Sequence, residues 1–184
     1  MWSAAIWCLK SRFGEGHADR LAAGVAELLA AHVDVIVAVG TQAARAAKRA
    51  TATVPIVFTS GDPVGAGLVT SLSRPGGNLT GISLLSGEYS RKWLALLKEA
   101  VPTLHRVGVL WNPDNPVIAM EVEQMRQAAA ELSLELAAFP ARAKEFDAAL
   151  AAIAAAGTDG LVITDDAYLD SLAPPLSAFA TEAM

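Results

Sequence analysis

The segment from Asp34 to Ser86 narrows the range of folds open to this chain. Two apolar runs rich in β-branched residues, Val35–Val39 and Val54–Thr59, each end in small polar residues. An alanine- and basic-rich segment between them is long enough for one helix. Because buried parallel strands read as continuous apolar runs joined by crossover helices, this order predicts an open α/β sheet. In such sheets a ligand binds outside the carboxyl ends of the strands.

The rest of the chain continues this alternation. Amphipathic helices are predicted over Ala18–His32 and Thr41–Ala50, with Thr41 as the N-cap of the second. Extended segments are predicted over Leu79–Leu85, Arg106–Trp111, Leu134–Phe139 and Leu161–Thr164. Further helices are predicted over Ala66–Leu72 and Tyr89–Ala100, from Pro116 to Leu132 and from Phe146 to Gly157. Asn115 is the expected N-cap of the helix from Pro116, and Gly157 is expected to end the helix from Phe146. Pro174 and Pro175 are expected to halt a last helix.

Composition and charge exclude several classes of protein. With 184 residues, 53% of them hydrophobic and 18% charged, the chain can bury a core and is not disordered. No apolar run approaches the roughly 18–20 residues that cross a bilayer, so no direct membrane insertion is expected. A net charge of −5 and the absence of a basic stripe disfavour nucleic acid as a partner.

The residues that usually carry covalent or metal chemistry are sparse. Cys8 is the single cysteine, and His17, His32 and His105 lie far apart without metal-ligand spacing. There is no GxxxxGK[ST] phosphate loop, and Gly65-Ala-Gly67 matches a dinucleotide fingerprint only superficially. We therefore expect no metal, no cofactor and no catalytic residues, and a small α/β enzyme is the less favoured alternative.

The sequence motifs of the chain resemble those of one protein family. Several sequence motifs follow one another in the order found in the uncharacterised-type ABC transporter substrate-binding proteins, which are bacterial periplasmic solute receptors. These motifs are DVIVAVGT, TQAARAAK, VPIVFTSGDPVGAGLV, RPGGNLTGIS, KWLALLKEAVP, RVGVLWNP and GLVIT. These motifs run from about Gly14 to Asp165. GDPVGAGLV followed by RPGGNLTG is the most specific part of the resemblance.

The resemblance implies an α/β fold of the type I periplasmic-binding-protein kind, with parallel sheets flanked by helices in two lobes. Members capture a small solute between the lobes and deliver it to the membrane permease of an ABC-type importer. Amino acids, aromatic ones among them, are known ligands in the family. The expected division is a partial N-terminal lobe over 14–80, a hinge or crossover over 81–88, a second α/β lobe over 89–170, and atypical tails over 1–13 and 171–184.

Compared with the family pattern, the first lobe is expected to be incomplete and to expose apolar faces of its sheet. A truncated receptor fragment that is non-functional or depends on a partner is therefore an alternative. The family implies a periplasmic location. The first thirteen residues lack a basic n-region and a cleavage site, and Trp7 precedes Cys8 where a lipoprotein needs a small residue, so the chain as written reads as cytoplasmic.

Candidate binding residues stand at the predicted carboxyl ends of the strands. A zwitterionic amino acid needs donors for its carboxylate and a carboxylate for its ammonium group. Thr41, with the backbone N–H groups of Thr41 and Gln42 at a helix N-terminus, suits an anion. Asp62 and Asp165 suit the ammonium group. The predicted ligand-binding set is Gly40, Thr41, Gln42, Asp62, Ser83, Trp111, Asn112 and Asp165.

Most of these residues also have a structural interpretation. Thr41 could serve only as an N-cap, and Asp62, before Pro63, only as a turn residue. Asp165 and Asp166 could only cap a following helix. Trp111 and Trp93 are typical core residues, and Asn112 is ambiguous between a turn and a ligand contact.

Overall fold

The computed structural model describes residues 8–142 and 144–183 and shows strands alternating with helices. In chain order the elements are α1 (Ala18–Ala30), β1 (Ile36–Val39), α2 (Thr41–Ala50), β2 (Ile56–Ser60), β3 (Leu79–Ser83), α3 (Ser86–Ala100), β4 (Arg106–Trp111), α4 (Pro116–Glu131), β5 (Glu135–Pro140), α5 (Phe146–Ala156), β6 (Gly160–Ile163), α6 (Ala167–Asp170) and α7 (Ala173–Ala183). Part of the predicted N-terminal tail, residues 1–7 with Trp7, lies outside the described residues. None of the described helices is long and apolar enough to span a membrane.

The strands form two parallel sheets. The first sheet has the order β1-β2-β3, and the second has the order β5-β4-β6. Ile36 pairs with Ile56 in the first sheet, and Ser60 pairs with Ser83 at its carboxyl edge. The all-parallel pairing confirms the α/β prediction, because each strand returns through a helix or a long connection.

The first sheet is packed on one face. Along β1, Ile36 and Ala38 are buried, whereas Val37 and Val39 are 68% and 69% exposed. Successive side chains of a strand point to opposite faces, so one face packs on α1 and α2 while the other presents valines to solvent. The first sheet therefore has an exposed apolar face.

The second sheet is packed on both faces. Val109 and Leu110, neighbours in β4, are both fully buried, yet they belong to different apolar clusters. Val109 packs with residues of α3 and α4, and Leu110 packs with residues of α5, α6 and α7. The two faces of the central strand are therefore each covered by helices, as in a doubly wound α/β unit.

Several predicted boundaries are confirmed. The α2 helix spans Thr41–Ala50 and β4 spans Arg106–Trp111, as predicted. At the start of α4 the Asn115 side chain accepts a hydrogen bond from the backbone N–H of Val117. Gly157 ends α5 in the left-handed conformation, with a φ of 61°.

Other local predictions were wrong. The N-cap of α2 is Gly40 rather than Thr41, because Gly40 has a φ of 90° and Thr41 is already helical. The segment Ala66–Leu72 forms turns instead of a helix. In α7, Pro174 and Pro175 occupy the first turn, where a missing backbone N–H removes no intrahelical bond.

The start of α3 also differs from the prediction, since the helix begins at Ser86 and includes Gly87. Leu85 precedes it with a φ of 51°, so the chain turns sharply between β3 and α3. This early start places Ser86 directly at the carboxyl edge of the first sheet.

Candidate functional site

The carboxyl edges of the two sheets face each other. A Cβ placed on Gly40, after β1, would lie 3.8 Å from Cβ of Ala167, which follows β6. A Cβ placed on Gly61, after β2, would lie 3.0 Å from Cγ1 of Val117 in α4. The strand ends of both sheets therefore meet across one cleft, the position where open α/β sheets bind ligands.

A cavity of about 370 Å³ lies in this cleft between β3, α3 and the end of β6. Its lining residues are Ser83, Leu84, Leu85, Ser86, Tyr89, Trp93 and Asp165. Its volume falls in the range of small-molecule sites, roughly 300–1,000 Å³. Of the predicted set, Ser83 and Asp165 line this cavity. We call it the cleft cavity.

Sequence reasoning missed most of the lining of the cleft cavity. Tyr89 and Trp93 are four residues apart on α3, so they lie on one face of the helix and form an aromatic wall. Ser86 joins the lining because α3 begins three residues earlier than predicted. The i, i+4 spacing of Tyr89 and Trp93 is visible in the sequence. The sequence does not show that the ends of β3 and β6 lie beside this face of α3.

The adjacent acids after β6 have different environments. Asp165 is exposed and lines the cleft cavity, whereas Asp166 is 4% exposed. The Asp166 carboxylate accepts from Nδ2 of Asn112 at 2.9 Å, from Nδ2 of Asn115 at 2.8 Å and from the backbone N–H of Tyr168 at 3.0 Å. Asp166 therefore caps α6 and ties it to β4, and Asp165 is the carboxylate that faces the cavity.

The two predicted residues at the end of β4 lie beside this network. Asn112 uses its Nδ2 on Asp166, and its Oδ1 accepts from the backbone N–H of Asp114 at 3.0 Å. Trp111 packs against the core on the α3 and α4 side, and its buried Nε1 has no hydrogen-bond partner among the described residues. Neither side chain is part of the lining of the cleft cavity.

The strand ends of the first sheet are held by hydroxyl groups. Oγ1 of Thr41 and Oγ of Ser60 are 2.8 Å apart and buried. The backbone N–H of Gly40 donates to Oγ1 of Thr59 at 3.2 Å. These bonds join the ends of β1 and β2, so the Thr41 hydroxyl is engaged within the first sheet. The neighbouring Gln42 is half-buried and does not line the cleft cavity.

Asp62 makes a local contact. Its Oδ1 accepts from the backbone N–H of Gly65 at 2.8 Å, across the turn that follows β2. The side chain is half-buried and lies outside the lining of the cleft cavity. This is the turn role that the Asp-Pro sequence also predicts.

A buried acid that the sequence did not reveal lies behind the cleft cavity. Glu121 of α4 is 1% exposed, and its Oε2 accepts from Oγ of Ser90 at 3.5 Å. Burial raises the pKa of the Glu121 carboxyl above its ordinary value of 4.5. The hydroxyls of Ser86 and Ser90 lower this pKa, and the charges of Asp165 and Asp166 raise it. Among the described residues, Oε1 of Glu121 and Oγ of Ser86 have no partner at hydrogen-bonding geometry.

A second cavity, of about 380 Å³, is lined by Glu15, His17, Lys144, Phe146, Asp147, Tyr168, Ser171 and Leu172. None of the predicted binding residues lines it. Its charged groups have both signs, and burial raises the pKa of the Tyr168 phenol. The cleft cavity is the better candidate site because it lies at the meeting of the strand ends.

Comparison with known proteins gives a family match over nearly the whole chain. A family model described as "ABC transporter substrate binding protein" matches residues 8–182. A tyrosine-binding protein of Clostridioides difficile is 38% identical over 105 residues, which are 56% of this chain and 30% of that protein.

Two solved structures share the fold. A conserved domain protein from Vibrio cholerae superposes with a TM-score of 0.83 at 31% identity, covering 91% of this chain and 56% of that one. A Streptococcus pneumoniae domain in complex with L-Trp superposes with a TM-score of 0.82 at 24% identity, covering 91% of this chain and 58% of that one. The chain thus spans less than two thirds of the length of these relatives, and its fold is that of the type I periplasmic binding proteins.

Proposed function

This chain belongs to the ABC transporter substrate-binding protein family, and from that premise we propose that it binds a small aromatic amino acid in the cleft cavity. The observation that carries the proposal is the meeting of Ser83, Ser86 and Asp165 with the aromatic wall of α3 in one cavity. The cavity combines the Asp165 carboxylate, the Ser83 hydroxyl and apolar surface, while the Ser86 hydroxyl is buried. These groups match the chemistry of an amino acid with a ring.

The charge of the cavity supports an ammonium-bearing solute. Asp165 is the charged side chain among the described residues that line the cavity, and no cation accompanies it there. Inside a partly closed cleft, a carboxylate forms a charge-assisted hydrogen bond with an ammonium group. An anionic solute without an amine would be repelled by the same carboxylate.

The apolar lining supports a ring on that solute. Tyr89 and Trp93 of α3 form one wall, and Leu84 and Leu85 add aliphatic surface. Aromatic pairs stack with offset or edge-to-face geometry and bury large areas. The N-terminus of α3, which begins at Ser86, supplies a positive dipole end for the carboxylate of the solute.

The relatives support the same class of ligand. The Clostridioides difficile protein is named for binding tyrosine, and the Streptococcus pneumoniae domain was solved with L-Trp. The other predicted residues keep a place in this proposal as supports of the cleft. Gly40, Thr41 and Asp62 hold the strand ends of the first sheet, and Trp111 and Asn112 hold the end of β4.

The proposed physiological role is that of a receptor that hands its solute to the permease of an ABC-type importer on the periplasmic side of the membrane. We expect binding without turnover. The family match over residues 8–182 favours this role over a small α/β enzyme.

The proposal is tested by thermal unfolding and calorimetric titration with L-tyrosine and L-tryptophan. At a hundredfold excess over Kd, a bound solute stabilises the fold by roughly 2.7 kcal/mol. Phenylpropionate, which keeps a ring and a carboxylate but lacks the amine, is expected to bind far more weakly. No stabilisation by any aromatic amino acid would overturn the proposal.

A further inference from the structure

We propose that Gly61 is a positioning residue for the solute: its backbone carbonyl holds the segment Ser83–Ser86, and its lack of a side chain lets that segment come close enough to shape the cleft cavity. This inference rests on the proposed function and concerns the same cavity. It gives a role to the first glycine of the GDPVGAGLV motif, which makes none of the proposed contacts with the solute.

The segment from Ser83 to Ser86 supplies much of the cleft cavity. Four of the seven lining residues belong to it, and the other three are Tyr89, Trp93 and Asp165. The segment joins β3 to α3, so its path also sets where the helix that carries the aromatic wall begins. A shift of this segment would therefore change the surface that the ring of the solute meets.

The conformation of this segment is strained. Leu85 has a φ of 51°, in the left-handed region that residues with a side chain rarely adopt. Leu85 is 48% exposed, so burial of its own side chain does not impose this conformation. A residue keeps such a conformation only where the surrounding structure fixes it. The contacts that fix Leu85 must therefore be made by its neighbours in the segment.

The end of β2 supplies those contacts. The carbonyl of Gly61 accepts from the Ser83 hydroxyl at 3.3 Å and from the backbone N–H of Ser86 at 3.3 Å. The carbonyl of the preceding Ser60 accepts from the backbone N–H of Leu84 at 2.9 Å. The residues on both sides of the strained position are thereby tied to two consecutive carbonyls of the first sheet.

A side chain at position 61 does not fit while these bonds are in place. A Cβ placed on Gly61 would overlap Oγ of Ser86 and would lie 3.0 Å from Cγ1 of Val117 in α4. The Ser86 hydroxyl is buried and α4 packs on the second sheet, so neither neighbour can move freely into solvent. The φ of Gly61 lies outside the left-handed region, so an alanine is opposed by these contacts and not by its backbone conformation.

Calorimetric titration of the full chain with L-tyrosine tests this inference. Gly61→Ala is expected to weaken binding by about tenfold, because the lining segment must move to admit the methyl group. Gly160→Ala is the matched control: a Cβ there would lie 3.1 Å from Cδ1 of Leu104, at the amino end of β6 and so at the sheet edge away from the cleft. The control should lower the free energy of unfolding, measured with urea, and keep the wild-type affinity. An equal loss of affinity in both variants would assign the effect to stability and overturn the inference.

The double variant Gly61→Ala/Ser86→Ala provides the second arm, because it removes the atom that the new methyl group would overlap. Measured against Ser86→Ala, the added Gly61→Ala should cost less affinity than it costs in the wild-type chain. Where Gly61→Ala alone fails to fold, recovery of a folded, tyrosine-binding chain in the double variant supports the inference, and failure of both variants to fold overturns it.

Two further results would overturn the inference and leave the proposed function intact. One is wild-type affinity in Gly61→Ala, and the other is an equal cost of Gly61→Ala in the wild-type and Ser86→Ala backgrounds. Absence of tyrosine binding by the wild-type chain would overturn both the inference and the proposed function.

Discussion

Asn112 donates from Nδ2 to Oδ1 of the buried Asp166 at 2.9 Å, and this bond joins the carboxyl ends of β4 and β6. The two residues are 54 positions apart in the sequence. Asn115 donates to the other carboxylate oxygen at 2.8 Å, so both oxygens of Asp166 have a side-chain donor. The loop that carries Asp165 is therefore held by its neighbour Asp166.

Asp166→Asn is expected to destabilise the fold by about 1–3 kcal/mol. The new amide presents a donor where an oxygen accepted, so either Asn112 or Asn115 loses its buried partner. Urea unfolding measures the change. Asp165→Asn, at the exposed neighbouring position, should stay within about 0.5 kcal/mol of wild type. Equal losses in the two variants would contradict the structural role of Asp166.

Asp165→Asn is expected to weaken binding of L-tyrosine by at least about tenfold, because a neutral amide loses the charge-assisted bond to the ammonium group. Calorimetric titration at neutral pH measures the loss. Asp147→Asn is the matched control, since Asp147 lines the second cavity. The reverse result, in which Asp147→Asn alone loses affinity, would move the site to the second cavity.

Glu121 should make the unfolding free energy depend on pH. Its pKa in the folded protein is raised by burial above 4.5, so in the window above about 4.5 the folded state binds more protons than the unfolded state. The contribution of Glu121 to the free energy of unfolding is therefore fully present below its pKa in the unfolded chain, about 4.5. This contribution is lost as the pH rises through the pKa of Glu121 in the folded protein. Urea unfolding across this range measures the slope.

In Glu121→Gln this part of the pH dependence should disappear, because an amide does not titrate. The variant is expected to lose less stability than wild type as the pH rises above about 4.5, since an amide carries no charge to bury at any pH. Glu123→Gln should retain the wild-type slope. A Glu121→Gln profile parallel to wild type would show that the buried carboxyl does not titrate in this window.

The one-sided packing of the first sheet predicts a contrast between neighbouring residues of β2. Ile56 is fully buried, and Ile56→Ala should cost about 3 kcal/mol through lost contacts and a cavity. Val57, 40% exposed on the other face, should tolerate replacement by Thr within about 0.5 kcal/mol. Urea unfolding compares the two. A large loss in Val57→Thr would mean that this face is covered in solution.

The sequence predicted the strands and helices well where the apolar pattern is regular. The runs Val35–Val39 and Arg106–Trp111 both contain strands, as their hydrophobicity predicts, but only the second is buried on both faces, since Val37 and Val39 are exposed. Boundaries were predicted less well where chain geometry depends on a single residue. At Leu85 a left-handed conformation lets α3 begin at Ser86, and this brought Ser86 into the cavity.

The candidate site was predicted in part. The rule that ligands bind at the carboxyl ends of strands located Ser83 and Asp165, which line the cleft cavity. The same rule also selected Thr41 and Asp62, whose side chains the structure engages with Ser60 and Gly65. Short polar side chains at strand ends look alike in sequence, whether they face a ligand or a backbone turn.

The sequence by itself determined the family and the parallel α/β architecture, because these follow from ordered motifs and local periodicity. The tertiary structure decided which polar groups face the cavity and which are buried. Asp165 and Asp166 are adjacent and chemically identical, yet one lines a cavity and the other accepts from Asn112 and Asn115. That difference depends on partners about fifty residues away, whose approach no local pattern encodes.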